Sequence, residues 1–280
     1  MENNKIKIIF IGTPEFGAII LKELVKNNYK PVLVITNPDK PAGRKRVLTP
    51  TPVKLSAQKY KIPIEQPERI KNLELRIKNL RPDLIICAAY GQKIPEEILK
   101  IPKYGCLNVH PSLLPKYRGP SPIQTAILDG DEKTGVTIML MDEKIDHGKI
   151  ISNFQFPISN KITHQELSEK LALSGAKLLL KTIPDWINNK IKPQTQDEKK
   201  ATYTKIIKKE EDRIGKKKEK ELFNIIQEKT GYSGTKLKDL FRVLRYAHDN
   251  EEVLDEIDNI NSKLKFSHLV QIEASFVEQV

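Results

Sequence analysis

The sequence predicts an α/β fold, a mostly parallel sheet with helical crossovers, followed by a small all-α tail. Two patterns carry that expectation. Over the first part of the chain, short apolar runs of strand length alternate with stretches whose apolar residues recur at helical spacing. Such alternation favours parallel strands joined by right-handed connections. Beyond Glu221 only the helical spacing persists, with no alternating strand.

The elements follow in order. Lys5 to Gly12, K-I-K-I-I-F-I-G, reads as a strand meeting a glycine turn, and Glu15 to Lys26 as the helix after it. Pro31 to Asn37 is a second strand and Val53 to Tyr60 a second helix; between them Asn37 to Pro52 is expected to be a long, proline-rich loop. Arg81 to Gln92, R-P-D-L-I-I-C-A-A-Y-G-Q, gives a turn, an apolar run short enough for a buried strand, and a glycine break. L-N-V-H is the next short strand, ending at His110. Thr134 to Asp142 and Gly148 to Ile158 read as later strands. A long helix over His164 to Ile183 opens with a capping box of Thr163 and Glu166. No internal repeat is visible.

Length and composition set the bounds. A chain of 280 residues, 39% hydrophobic and 30% charged, is ordinary for a soluble protein of about two domains. The expected division is 1–204 for the α/β domain, 205–220 for a charged linker and 221–280 for the helical tail. No apolar run is long enough to span a bilayer, and the N-terminus lacks the pattern of a signal peptide. Cys87 and Cys106 lie in strand-like runs without C-x-x-C spacing, which predicts buried thiols and a cytoplasmic chain. Lys205 to Val280 carries 15 basic and 15 acidic residues, so the net charge of +12 resides wholly in the part before it. That excess suits a polyanionic partner, although a generally lysine-rich composition would raise it equally.

The chemistry concentrates in Cys106 to Pro122, C-L-N-V-H-P-S-L-L-P-K-Y-R-G-P-S-P. Proline fixes φ and lacks an N–H, so Pro111, Pro115, Pro120 and Pro122 predict a rigid connection that presents Asn108, His110 and Ser112. Its place after neighbouring strands is the usual ligand position of an open α/β sheet. The loop after the second strand adds Lys40, Arg44, Lys45 and Arg46, a set suited to phosphate oxygens. A solvated surface loop is the plainer alternative. The first turn, G-T-P-E-F-G, lacks the G-x-G-x-x-G pattern, and no G-x-x-x-x-G-K-[ST] occurs, so neither nucleotide motif is expected. His110, His147, His164, His248 and His268 make no ligand-like spacing, and no metal is expected.

Together F-I-G-T-P-E-F, N-P-D-K-P-A-G-R, A-A-Y-G-Q, L-N-V-H-P-S-L-L-P-K-Y-R-G-P-S-P-I-Q and M-D-E-K-I-D-H-G resemble the formyltransferase domain of methionyl-tRNA formyltransferases, over about Lys5 to Ile214. The histidine segment and Asp146 look like those of all folate-dependent formyltransferases, whereas G-T-P-E-F and P-A-G-R point to the tRNA branch. The resemblance implies a Rossmann-like catalytic domain that takes formyl from 10-formyltetrahydrofolate and gives it to methionyl-initiator-tRNA. It further implies that Asn108, His110 and Asp146 are catalytic. Folate would be met by Ala88, Tyr90, Gly91 and Gln92 and by Ser112, Leu113, Leu114 and Pro115. Lys40, Arg44, Lys45 and Arg46 would meet the tRNA acceptor end.

Formyl transfer to an amine needs a donor for the tetrahedral oxyanion and a route for a proton, which an amide, an imidazole and a carboxylate supply. Local alternatives remain for each: His110 as a satisfied strand-end histidine, Asp146 as a turn residue before His147-Gly148, Ser112 as a cap on its own backbone. After Ile214 the chain departs from the family. Glu221 to Thr230, Gly231-Tyr232-Ser233 and Gly234 to Ala247 have the spacing of a helix-turn-helix, open to a nucleic-acid contact or to a plain αα-hairpin. Two other function classes therefore stay open, formyl transfer to another amine such as an amino sugar nucleotide, and nucleic-acid binding with an inactive formyltransferase fold.

Overall fold

Parallel pairing organises the sheet from its first strand outward. In the computed structural model, which describes residues 6–42, 46–159 and 162–207, β1 (Ile8–Gly12) is buried at every position. Burial on both faces is what an inner parallel strand covered by helices requires. The turn into α1 (Glu15–Lys26) is tight, because a Cβ on Gly12 would lie 2.7 Å from the Ala88 carbonyl oxygen. β2 (Leu33–Ile35) follows, then β3 (Lys40–Ala42) and β4 (Val47–Thr49).

β3 and β4 pair antiparallel, so the expected loop from Asn37 to Pro52 contains a hairpin. Pro41 does not forbid it, since in a two-stranded ribbon each strand has an open edge where a missing N–H costs nothing. α2 (Pro52–Lys59) starts one residue earlier than the spacing suggests, with Pro52 in its first turn and Thr51 capping the Lys54 N–H.

β5 (Ile64–Glu65), a 3-10 turn at Ile70–Leu73 and α3 (Glu74–Leu80) lead to β6 (Leu84–Ala88). Then come α4 (Glu96–Leu99), β7 (Cys106–His110), α5 (Pro122–Leu128), β8 (Lys133–Leu140), β9 (Ile150–Pro157) and α6 (His164–Ile187). The main sheet has the order β5, β2, β1, β6, β7, β8, β9. From β5 to β7 all neighbours are parallel; β8 runs antiparallel to both β7 and β9.

The capping box at Thr163 and Glu166 is formed as the sequence predicts. α6 nevertheless runs past Pro184, which forgoes one backbone bond. Trp186 supplies the tertiary reason, donating its indole N–H to the Tyr104 carbonyl at 2.9 Å and so fixing the last turn on the body of the domain.

Side-chain alternation decides where the polar residues of β7 go. Leu107 and Val109 join the core that also holds Leu21, Leu171 and Leu179, while Cys106 joins the opposite core with Cys87, Ile77 and Ile98. Asn108 and His110 share the parity of Cys106 and hence its face. α6 backs this strand closely, because Gly175 leaves no room for a Cβ: one would lie 2.7 Å from Val109 Cγ1 and 3.2 Å from Val136 Cγ1.

Gly175→Ala is therefore expected to destabilise the domain. Overpacking against two stiff valines costs about 1–3 kcal/mol, which outweighs the roughly 1 kcal/mol that alanine gains in a helix interior. A lower urea midpoint at unchanged slope is the expected result, and an unchanged or raised midpoint would contradict this packing. A second expectation concerns the thiols. Burial pushes the Cys87 thiol up to about 12 and moves Cys106 in the same direction. Folded protein at pH 8 should leave both cysteines unmodified by a chromogenic disulfide reagent, and urea-unfolded protein should titrate two. Fast reaction in the folded state would contradict their burial.

Candidate functional site

β6 and β7 are parallel neighbours, Cys87 opposite Asn108, so both strands end at the same edge of the sheet. The polar side chains of β7 open there and meet a residue far along the chain. Asp146 Oδ1 accepts from Asn108 Nδ2 at 3.4 Å and lies 3.6 Å from His110 Nδ1. Asp146 Oδ2 accepts from the Gly119 N–H at 2.7 Å. The other ring nitrogen, His110 Nε2, is 3.0 Å from the Tyr117 carbonyl oxygen. A carbonyl can only accept, so Nε2 carries the hydrogen, leaving Nδ1 beside the carboxylate as the ring atom able to take up a proton.

Burial gives these contacts weight. The side chains of His110 and Asp146 are 4% and 15% exposed, and Asn108 is buried. Asp146 also has φ of 48°, the left-handed region, where a residue with a side chain costs about 1–3 kcal/mol and persists only where its surroundings hold it. The turn reading of Asp146 is thus correct as geometry, and the same turn aims the carboxylate at His110.

The connection after β7 is held from three sides. Ser112 Oγ donates to the Lys116 carbonyl at 2.6 Å, spending its hydroxyl within its own turn. Thr137 of β8 donates to the Ser112 carbonyl and accepts from the Leu114 N–H. The Leu114–Pro115 peptide is cis. Leu114 is buried, whereas Leu113 and Pro115 are half-buried. Further on, Thr202 Oγ1 receives the Tyr117 N–H, and the backbones of Arg118 and Thr202 to Thr204 pair as a parallel bridge.

Arg118 is the feature that the sequence reading misses. Its side chain is wholly buried, and the guanidinium is fully occupied. Nε and Nη2 donate to Gln196 Oε1 at 3.1 and 2.9 Å, Nη1 and Nη2 donate to Glu198, and Nη1 also reaches the Tyr203 hydroxyl. The guanidinium holds the Glu198 carboxyl below the usual carboxylate range. Gln196 in turn donates to the carbonyls of Asp146 and Gly148 at 2.9 and 2.7 Å. The only sequence signal was an arginine between prolines, which reads equally well as an exposed charge.

At the neighbouring strand ends the expected folate residues have distinct places. Ala88 is buried, its carbonyl packed against Gly12 and Gly17. Ala89 and Gly91 have φ of 52° and 85°, so the backbone after β6 turns sharply outward. The Tyr90 carbonyl accepts from Thr13 Oγ1 and Asn37 Nδ2, while its buried hydroxyl has no hydrogen-bond partner among the described residues. Gln92 bridges Asn37 Oδ1 and the Ile70 N–H. Asn37 therefore ties the ends of β2 and β6 together, a role the sequence reading did not assign.

Of the basic residues, Lys40 and Arg46 are exposed on either side of the hairpin turn; Arg44 and Lys45 lie outside the described residues, as does the whole tail from 208. Among the described residues no group of three or more His, Cys, Asp or Glu is arranged to hold a metal ion, and no helix is long and apolar enough to cross a membrane.

A profile of the family described as formyl transferase matches residues 4–183. A methionyl-tRNA formyltransferase of Geobacillus sp. (strain WCH70) is 50% identical over 211 residues, 75% of this chain and 66% of that relative. One of Bacillus cytotoxicus is 47% identical over 225 residues, 79% of this chain and 72% of the relative. This chain thus spans about two thirds of the length of the curated relatives it matches. Among solved structures, the N-formyltransferase of Helicobacter canadensis, in complex with folinic acid and dTDP-3-aminofucose, aligns with a TM-score of 0.56 at 26% identity, covering 71% of this chain and 70% of that one. On sequence and on fold alike, the chain belongs to the formyl transferase family, in the branch of the methionyl-tRNA formyltransferases.

Proposed function

We propose that the chain transfers the formyl group of 10-formyltetrahydrofolate to the α-amine of methionyl-initiator-tRNA. The observation that carries this reading is the meeting of Asn108, His110 and Asp146 at one strand end, with the carboxylate shared between the amide and the imidazole. Kinship with curated methionyl-tRNA formyltransferases supports the choice of acceptor.

The amine nitrogen attacks the formyl carbon, a C–N bond forms, and the carbonyl oxygen gathers negative charge. The Asn108 amide donates to that oxygen; loss of one such donor typically costs about 10²- to 10³-fold in rate. The oxyanion then re-forms the carbonyl as the bond between the formyl carbon and N10 breaks; the attacking nitrogen must shed a proton and the departing folate N10 must gain one. His110 carries it, taking it up at Nδ1 while Nε2–H stays anchored on Tyr117 and Asp146 holds the charge that appears on the ring. No covalent enzyme intermediate is needed, in keeping with two buried cysteines whose thiols are held protonated.

Folate is placed against the backbone turn of Ala88, Tyr90, Gly91 and Gln92 and against Ser112 to Pro115. Because Ser112 and Gln92 spend their side chains on the fold, their part in binding is to shape the wall. The unpartnered Tyr90 hydroxyl suits a ligand group on that side. Lys40, Arg44, Lys45 and Arg46 meet phosphates of the tRNA acceptor end, and the tail from 221 makes a further nucleic-acid contact. The reaction belongs in the cytoplasm, the compartment that keeps both thiols reduced.

His110→Ala is expected to abolish formyl transfer from 10-formyltetrahydrofolate to methionyl-tRNA while the circular dichroism spectrum stays native; turnover like the wild type would remove this mechanism. Arg44→Ala should raise KM for methionyl-tRNA about ten-fold, leave KM for folate nearly unchanged, and flatten the dependence of the former on salt. Equal effects on both substrates would count against the hairpin. The same assay on a chain ending at Arg213 tests the tail, since an unchanged KM for tRNA would exclude its contact.

A further inference from the structure

Gln196 lies fifty residues from Asp146 in sequence, outside every motif that resembles the family, yet its side-chain amide is the hub between the two loops of the site. It is buried, and each of its hydrogen-bonding positions is used. Nε2 gives one hydrogen to the Asp146 carbonyl and one to the Gly148 carbonyl, at 2.9 and 2.7 Å. Oε1 takes two bonds from Arg118, at 3.1 and 2.9 Å. A flipped amide would set two donors against a guanidinium that can only donate, and an oxygen against two carbonyls. Arg118 thereby dictates which way the amide points, and Glu198 and Tyr203 fix Arg118.

The two carbonyls that Gln196 grips, of Asp146 itself and of Gly148, directly follow the torsion at which Asp146 has φ of 48°. A backbone in that region reverts unless something holds it. On reversion the carboxylate would leave the Gly119 N–H, 2.7 Å away, and with it the facing His110 Nδ1. We propose that Gln196, oriented by Arg118, is a positioning residue for formyl transfer, holding the Asp146 turn so that its carboxylate stands between Asn108 and His110. This inference rests on the proposed roles of those three residues.

Gln196→Glu is the sharpest test, because the carboxylate keeps the volume and the bonds from Arg118 but faces the two carbonyls with an acceptor. In the full chain its kcat is expected to fall about 30- to 100-fold, the scale of a misplacement of about 1 Å, with KM for 10-formyltetrahydrofolate and for methionyl-tRNA within about three-fold of wild type. Added to Asp146→Asn it should cost less than about two-fold more, since two residues acting through one contact are not additive. A crystal structure of the variant should show the Asp146 carboxylate displaced from Gly119 and His110.

Unchanged kcat, additive losses, or a carboxylate still in place would each overturn the proposal. If Gln196→Glu does not fold, Gln196→Met, of similar volume and without donors, is measured by the same three criteria. A wild-type chain that fails to formylate methionyl-tRNA would sink the functional reading instead, and the crystallographic comparison would still decide the role of Gln196.

Discussion

The site depends on one carboxylate that accepts from two donors while it faces an imidazole nitrogen. Asn108 and His110 point from β7 into a region where an unpaired polar group costs about 1–3 kcal/mol; Asp146 accepts from the Asn108 amide and the Gly119 N–H, and the same carboxylate faces His110 Nδ1. Because β7 is inner and buried along its whole length, its register cannot slip without turning Leu107 and Val109 out of the core. The hydrophobic core and the polar site are thus set by the same strand. What remains free is the Asp146 turn, and the buried guanidinium of Arg118 constrains it through Gln196.

Burying a guanidinium is expensive unless all of its donors are met. Here Gln196, Glu198 and Tyr203 meet them, and all three come from the segment after α6. That segment also returns backbone bonds to the loop after β7, from Thr202 to Pro115 and from Thr204 to Arg118. One cation therefore ties the β7 loop, the Asp146 turn and the segment from Gln196 to Thr204 into a single unit, which gives Asn108, His110 and Asp146 fixed positions.

Where local pattern decides the structure, the sequence was readable. The helix from Glu15 to Lys26 and the capping box at Thr163 follow directly from residue spacing, and the strands before Gly12 and Tyr90 from short apolar runs bounded by turns. Pattern failed where tertiary contacts override it. Pro184 reads as a helix stop, yet Trp186 anchors the turn beyond it. The hairpin at Lys40–Ala42 and Val47–Thr49 hides in a proline-rich stretch because β4 is exposed at every residue and so has no buried apolar face that could produce alternation. Asn108 and His110 stand out in the sequence because a proline-locked run follows them at a strand end, whereas Asp146 is singled out only by the resemblance and locally reads as a turn residue. Arg118 and Gln196 were not, because nothing local distinguishes a buried arginine from an exposed one.

The same contacts extend the folded unit beyond α6. A unit cut at the end of α6, Ile187, would contain every motif that carries the family resemblance. It would still lack the groups that neutralise Arg118 and hold the Asp146 carbonyl. The exposed guanidinium would no longer need Gln196, the left-handed turn would lose its two anchoring bonds, and the Tyr117 and Arg118 backbone would lose Thr202 as a partner. The strand that carries Asn108 and His110 would survive such a cut, because its register is set by β6 and β8. The carboxylate between them would not be held. The smallest unit that keeps every contact of the Asp146 turn is therefore the α/β sheet together with its trailing segment through about Thr204, and the residues that make those contacts lie in a stretch with no recognisable motif.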